Sequence, residues 1–144
     1  MIGISSETMH ASCVMIDGCG VLIEGASGVG KSDLALRLID RGAVLVSDDY
    51  SYVRREAHKL FASAPANIAG KIEVRGIGII DQPHRDSAPI ALIVTLGEPA
   101  SRLPEPGVAR QLLGVEIPLL MLDGREPSAP IKVELVLSRI VRAI

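Results

Sequence analysis

The sequence predicts an α/β fold, a mixed sheet with few helices, as one domain over residues 1–144. Three observations predict it. An apolar run, a glycine-rich loop and an amphipathic segment follow one another between Cys19 and Gly42. Further short apolar runs are bounded by turn residues, as strands are. The chain is 48% apolar but only 2% aromatic, so its core is aliphatic and suited in size to one domain.

The elements follow in order. His10 to Ile16 is short and mostly apolar and predicts a strand. Asp17-Gly18 is a hairpin turn signal, and Cys19 to Glu24 is the return strand. In "KSDLALRLIDRG", Leu34, Ala35, Leu38 and Ile39 fall at helical spacing, and Gly42 is placed to stop the helix. Ala43 to Ser47 predicts a buried strand ending in Asp48 and Asp49. "YSYVRRE" and "KLFASA" predict a second hairpin turning near Glu56-Ala57-His58, and Pro65 to Gly70 a loop or short helical turn. "KIEVRGIGIID", Lys71 to Asp81, alternates at first and then carries two glycines. Ile90 to Leu96 and Glu116 to Asp123 predict strands, separated by a proline-rich loop over Gly97 to Gly107. Gly124 to Pro130 predicts a loop. Ile131 to Ile144 predicts a C-terminal helix with apolar positions at Ile131, Leu135, Ile140 and Ile144, although "KVELVL" also suits a strand.

Composition removes several functions. The aromatics are Tyr50, Tyr52 and Phe61, too few for base-stacking platforms, and a net charge of −2 offers no basic field. Nucleic acid is therefore not an expected partner. Cys13 and Cys19 cannot make a disulfide framework, which points to a reduced cytoplasmic setting. No uncharged apolar run approaches the ~20 residues of a membrane span, and "MIGISSETMHAS" lacks a secretory pattern.

Gly25-Ala26-Ser27-Gly28-Val29-Gly30-Lys31-Ser32 fits G-x-x-x-x-G-K-[ST] at every fixed position. Gly25 and Gly30 let the backbone curl with its amides inward, and those amides with a helix N-terminus make an anion site. Lys31 can reach terminal phosphates, and the Ser32 hydroxyl can bind magnesium. An ordinary helix-capping turn is the bland alternative, but the preceding strand and following helix supply the context the motif needs. Asp48-Asp49 lies seventeen residues after Lys31. If the strand over Ala43 to Ser47 runs beside the loop strand, these acids reach the phosphates, where ligands sit in open α/β sheets. One can then hold the metal or its water, and the other can take a proton from an attacking hydroxyl. Without the glycine loop the pair reads as a solvated turn. His10, on its own features, reads as a surface histidine at a strand start.

Several separated segments together resemble one family. "HASCVMIDGCGVLIEGASGVGKSDLALRLIDRGAVLVSDD" and "EVRGIGIID" follow the order and signature of the catalytic domain of bifunctional HPr kinase/phosphorylase. That resemblance implies a P-loop kinase domain of the phosphoenolpyruvate carboxykinase-like type. It implies phosphorylation of a serine of HPr, a phosphocarrier of the bacterial phosphotransferase system, using ATP and Mg2+. It also implies the reverse phosphorolysis and a homo-oligomer, commonly a hexamer. Position by position, it makes His10 an active-site histidine and Lys31 a phosphate contact. Ser32 and Glu73 become magnesium ligands. The Asp48-Asp49 pair supplies the general base, with Asp49 favoured. Arg75 belongs to the catalytic signature, and Arg102 matches an active-site arginine. The phosphorolysis loop retains only Gly124-Arg125 in "LMLDGREPSAP", so the resemblance carries the kinase half of the activity more fully than the phosphorylase half. The chain is expected to lack the family's N-terminal domain and C-terminal helices, as in the short alphaproteobacterial form. The rival expectations are a small-molecule kinase and a nucleotide sensor without catalysis.

Overall fold

A computed structural model describes residues 5–26, 28–98 and 108–142. The chain runs β1 (Ser6–Met9), β2 (Ala11–Ile16), β3 (Cys19–Glu24), α1 (Lys31–Asp40), β4 (Val44–Ser47), β5 (Ser51–Glu56) and β6 (Lys59–Ser63). A 3-10 turn at Ala66–Ile68 leads to β7 (Lys71–Val74), β8 (Gly78–Asp81), β9 (Ser87–Leu96), β10 (Ala109–Leu112), β11 (Val115–Leu122) and α2 (Ala129–Arg142).

Among the described residues, nine strands form one sheet in the order β1-β5-β6-β9-β3-β2-β4, with β11 also on β9 and β10 on β11. The ten-residue β9 is the branch point. Its start pairs with β6 through Ser87–Pro89, and its end pairs with β11 through Ile93–Leu96. The sheet branches there, and β9 alternates apolar side chains into the clusters on both of its faces. On one face Val14, Val21, Ile23, Leu92 and Val94 pack on Leu34, Ala35 and Leu38 of α1 and on Val133 and Leu137 of α2. On the other, Cys13, Leu22, Val46 and Ile93 meet Val53, Leu60, Leu112 and Ile117 from the curled-over strands. Each fully buried aliphatic side chain contributes roughly 1.5–3 kcal/mol, so a core almost without aromatics suffices.

The β2–β3 hairpin forms at Asp17-Gly18, with φ of +48° and +80°, the positive pair that a two-residue turn needs. This hairpin changes one expectation. β4 does not run beside β3: antiparallel β2 lies between them and pairs with both. β3 and β4 still point the same way, so their C-terminal ends share one edge of the sheet. Strands β1 and β10 are additional to those expected; both are four residues long, three of the four polar in β1 and two in β10. β9 begins at Ser87, three residues before the expected Ile90. β7 and β8 make a separate hairpin, anchored by fully buried Ile72 in the core beneath α1. In α2 the buried face is Ala129, Pro130, Val133 and Leu137, whereas Ile131 and Leu135 are exposed. Of the expected apolar positions, Ile131 and Leu135 thus face away from the core, Ile140 is partly buried against it, and Ile144 lies outside the described residues.

Candidate active site

Strands β3, β9 and β11 are mutually parallel, and their C-terminal ends open onto Gly25, Gly97 and Asp123. This is the edge at which ligands collect in such sheets. The glycine loop leaves β3 there and enters α1 through Gly30, which takes φ +97° as the residue before the first helical turn. Gly25 is tightly enclosed. A Cβ at that position would lie 2.7 Å from Val29 Cγ2 and 3.3 Å from Leu96 Cβ. The curl therefore exists only because Gly25 has no side chain. Lys31 is buried, and its ammonium donates to the carbonyls of Gly25 at 2.8 Å and Ala26 at 3.2 Å. The cation thus spans the loop over the amides of the helix start, the arrangement suited to an anion.

Asp48 is the hub of the site. It is 5% exposed, and it accepts hydrogen bonds from three elements. The Ser32 hydroxyl of α1 donates to Oδ1 at 2.6 Å, and the Ser12 hydroxyl of β2 donates to the same oxygen at 3.0 Å. The Glu73 amide of β7 donates to Oδ2 at 3.0 Å. A buried carboxylate is tolerated when it is satisfied in this way. Asp49, the next residue, faces outward. Its backbone sits at φ +68°, and the Tyr50 amide closes a tight turn onto the Asp48 carbonyl at 2.7 Å. Such a turn is strained for a residue with a side chain, by an amount on the order of 1–3 kcal/mol. It presents the Asp49 carboxylate to His10, whose Nε2–H donates to Oδ1 at 2.8 Å. Because a carboxylate only accepts, this contact places a proton on Nε2. The imidazole also stacks on Tyr50, with centroids 5.0 Å apart.

The expected residues divide accordingly. His10, Lys31, Ser32, Asp48 and Asp49 come together at one edge. Glu73 joins through its backbone amide while its side chain is exposed, and Arg75 lies on the exposed turn of the same hairpin. Ser27 and Arg102 lie outside the described residues. Arg125 follows β11 at the same edge, where Asp123 holds it at 3.1 Å. That pairing pulls the Asp123 carboxyl below its usual range, the guanidinium hydrogen bond being the main cause. Arg37 of α1 ties this loop down by donating to the carbonyls of Gly124 and Glu126. Sequence reasoning missed Ser12, and the one available signal was a polar residue among the apolar positions of β2. Cys13 takes no part, since burial pushes its thiol up to about 12.

Phosphate and metal fit what is present. The Gly25 cradle is one that a Cβ would fill. Among the described residues no three His, Cys, Asp or Glu side chains gather as a metal cage. Magnesium beside a nucleotide needs no such cage, since one or two protein oxygens and the substrate phosphates hold it, and Ser32 with Asp48 would supply the protein oxygens.

Comparisons with known proteins point to one family. The family described as "HPr Serine kinase C-terminal domain" matches residues 4–134. The HPr kinase/phosphorylase of Caldicellulosiruptor bescii is 37% identical over 131 residues, covering 82% of this chain and 42% of that protein. The protein of the same name from an Exiguobacterium species is 40% identical over 130 residues, covering 81% and 42%. The chain thus spans about two fifths of the length of these curated relatives. The solved Hpr(Ser) kinase/phosphatase of Coxiella burnetii superposes with a TM-score of 0.79 at 32% identity, over 95% of this chain and 91% of that one. Among the described residues no helix is long and apolar enough to cross a membrane.

Proposed function

We propose that this chain, which belongs to the HPr serine kinase C-terminal domain family, transfers the terminal phosphoryl group of ATP to a serine of an HPr-like phosphocarrier. The observation that carries this reading is the split of the aspartate pair. Asp48 is bonded to the loop serine, and Asp49 stands free of the loop on His10.

In this reading the loop amides and the Lys31 ammonium hold the phosphates, with Lys31 exchanging its carbonyl partners for phosphate oxygens. Ser32 and Asp48 hold magnesium, with Glu73 close by on the hairpin that Asp48 secures. The metal, when bound, offsets charge on the transferring group. Asp49 accepts the proton of the attacking serine hydroxyl as the new P–O bond forms and ADP departs. His10 orients Asp49 through Oδ1 and leaves Oδ2 for that proton. Arg75, on the exposed hairpin turn, faces an incoming protein.

The test is transfer of labelled phosphate from ATP to purified HPr. Wild type is expected to transfer, and Asp49→Asn to lose about 10²–10⁴-fold in kcat with unchanged ATP affinity. No transfer by wild type, or full transfer by Asp49→Asn, would overturn the reading. ATP turnover on a metabolite in place of HPr would indicate a small-molecule kinase. Tight nucleotide binding without turnover would indicate a sensor.

A further inference from the structure

We infer that Ser12 is a positioning residue that sets the two adjacent aspartates to different tasks; only the catalytic consequence rests on the kinase reading above.

Ser12 sits in β2 with no exposed surface, between Ala11 and Cys13, which are equally buried. A hydroxyl at that depth is costly unless both its donor and its acceptor capacity are used. Both are used, and on consecutive residues. The O–H donates to Asp48 Oδ1 at 3.0 Å, and the oxygen accepts the Asp49 amide at 3.0 Å. One atom thus draws the Asp48 side chain inward and fixes the Asp49 backbone.

The second contact matters most. Asp49 holds φ +68°, a value uncommon for a residue other than glycine. Its amide is anchored on Ser12, and the Ser47 hydroxyl donates to the following Tyr50 carbonyl. Without the Ser12 oxygen, the amide loses its partner and the turn loses its tether to the sheet. Asp49 is then free to relax to negative φ, which swings its carboxylate away from His10. The aspartate on the loop serine and the aspartate on the histidine would no longer be kept apart.

Ser12→Val and Ser12→Thr have the same shape and differ in the hydroxyl, so they isolate it. With HPr as acceptor, Ser12→Val is expected to lose about 100-fold in kcat, since small misplacements cost that much. The KM for ATP should stay within about threefold, because Lys31 is untouched and Asp48 keeps its hydrogen bonds from Ser32 and the Glu73 amide, and Ser12→Thr should recover most of the loss. In an Asp49→Asn background, Ser12→Val should cost little more, as expected for residues acting as a unit. Independently of any activity, the Asp49 amide should exchange its hydrogen faster in Ser12→Val and remain protected in Ser12→Thr. Wild-type kcat or wild-type Asp49 protection in Ser12→Val overturns the inference. A wild type inactive on HPr refutes the kinase reading instead, and Asp49 exchange then decides the positioning alone. If Ser12→Val does not fold, Ser12→Ala, which adds no volume, gives the same two readouts.

Discussion

Gly25→Ala places a methyl group where the structure has no room for one. The new Cβ would stand 2.7 Å from Val29 Cγ2 and 3.3 Å from the Leu96 carbonyl oxygen, at φ +156°. Carbon pairs are comfortable near 3.5–4.0 Å, so the Val29 contact is about 1 Å too close. Overpacking of that kind costs about 1–3 kcal/mol, and the unfavourable φ adds about 1 kcal/mol more. The total is about 2–4 kcal/mol against the curled loop. The protein can escape this cost by opening the loop, so the penalty falls on ligand binding more than on global stability. At 1.4 kcal/mol per decade, nucleotide should bind about 30- to 1000-fold more weakly. Calorimetric titration with ATP and magnesium reads the affinity, and thermal unfolding serves as the control, expected to shift by only a few degrees. Adding Val29→Ala removes the closest atom but neither the backbone strain nor the Leu96 contact, so it should recover about a tenfold part. Binding within about threefold of wild type in Gly25→Ala, or no recovery in the double variant, would refute the reasoning.

Three further outcomes are expected. In α2, Leu137→Ala should cost about 2–4 kcal/mol in urea unfolding, because Leu137 is 4% exposed, while Leu135→Ala at 61% exposure should cost almost nothing. Lys71, through a hydrogen bond and its charge, holds the Asp81 carboxyl below its usual value. The unfolded chain therefore binds that proton first, and the stabilisation is present above the ordinary carboxylate range and lost as pH falls through the lowered value. Amide protection in the β7–β8 hairpin, taken relative to the intrinsic exchange rate at each pH, should fall as acid titrates Asp81 below the ordinary carboxylate range, and Lys71→Met should abolish that dependence. Cys13 should resist iodoacetamide at about pH 8 in the native protein and react once denaturant exposes it, because burial keeps its thiol protonated.

The parts legible in the sequence were those with a local cause. The span of α1 follows from its apolar spacing, and the first hairpin follows from Asp17-Gly18. The glycine loop was legible because its fixed positions each meet a separate steric or electrostatic need. What was not legible depended on distant partners. Strand β1, "SETM", and strand β10, "ARQL", have no apolar alternation, and they are strands because β5 and β11 offer free edges. The neighbour of β4 could not be read locally, since a hairpin signal does not say which edge the hairpin will occupy. The side of α2 that is buried depends on which strands it covers, and Ile131 and Leu135 look as apolar as Val133 and Leu137. Within the site, paired acids and a loop lysine advertise their chemistry. Ser12 does not, because a serine acquires its role only from the carboxylate and amide that folding brings to it.

The β1–β5 ladder ends at Met9 opposite Ser51, immediately before His10 on one side and after Tyr50 on the other. The two strands work as a clasp whose last tooth sets imidazole against carboxylate. β1 is an edge strand, and all but one of its residues are exposed. Any peptide able to displace it from β5 would strip away the rung beside His10, so the contact between imidazole and Asp49 is only as durable as a strand with three of its four residues in solvent.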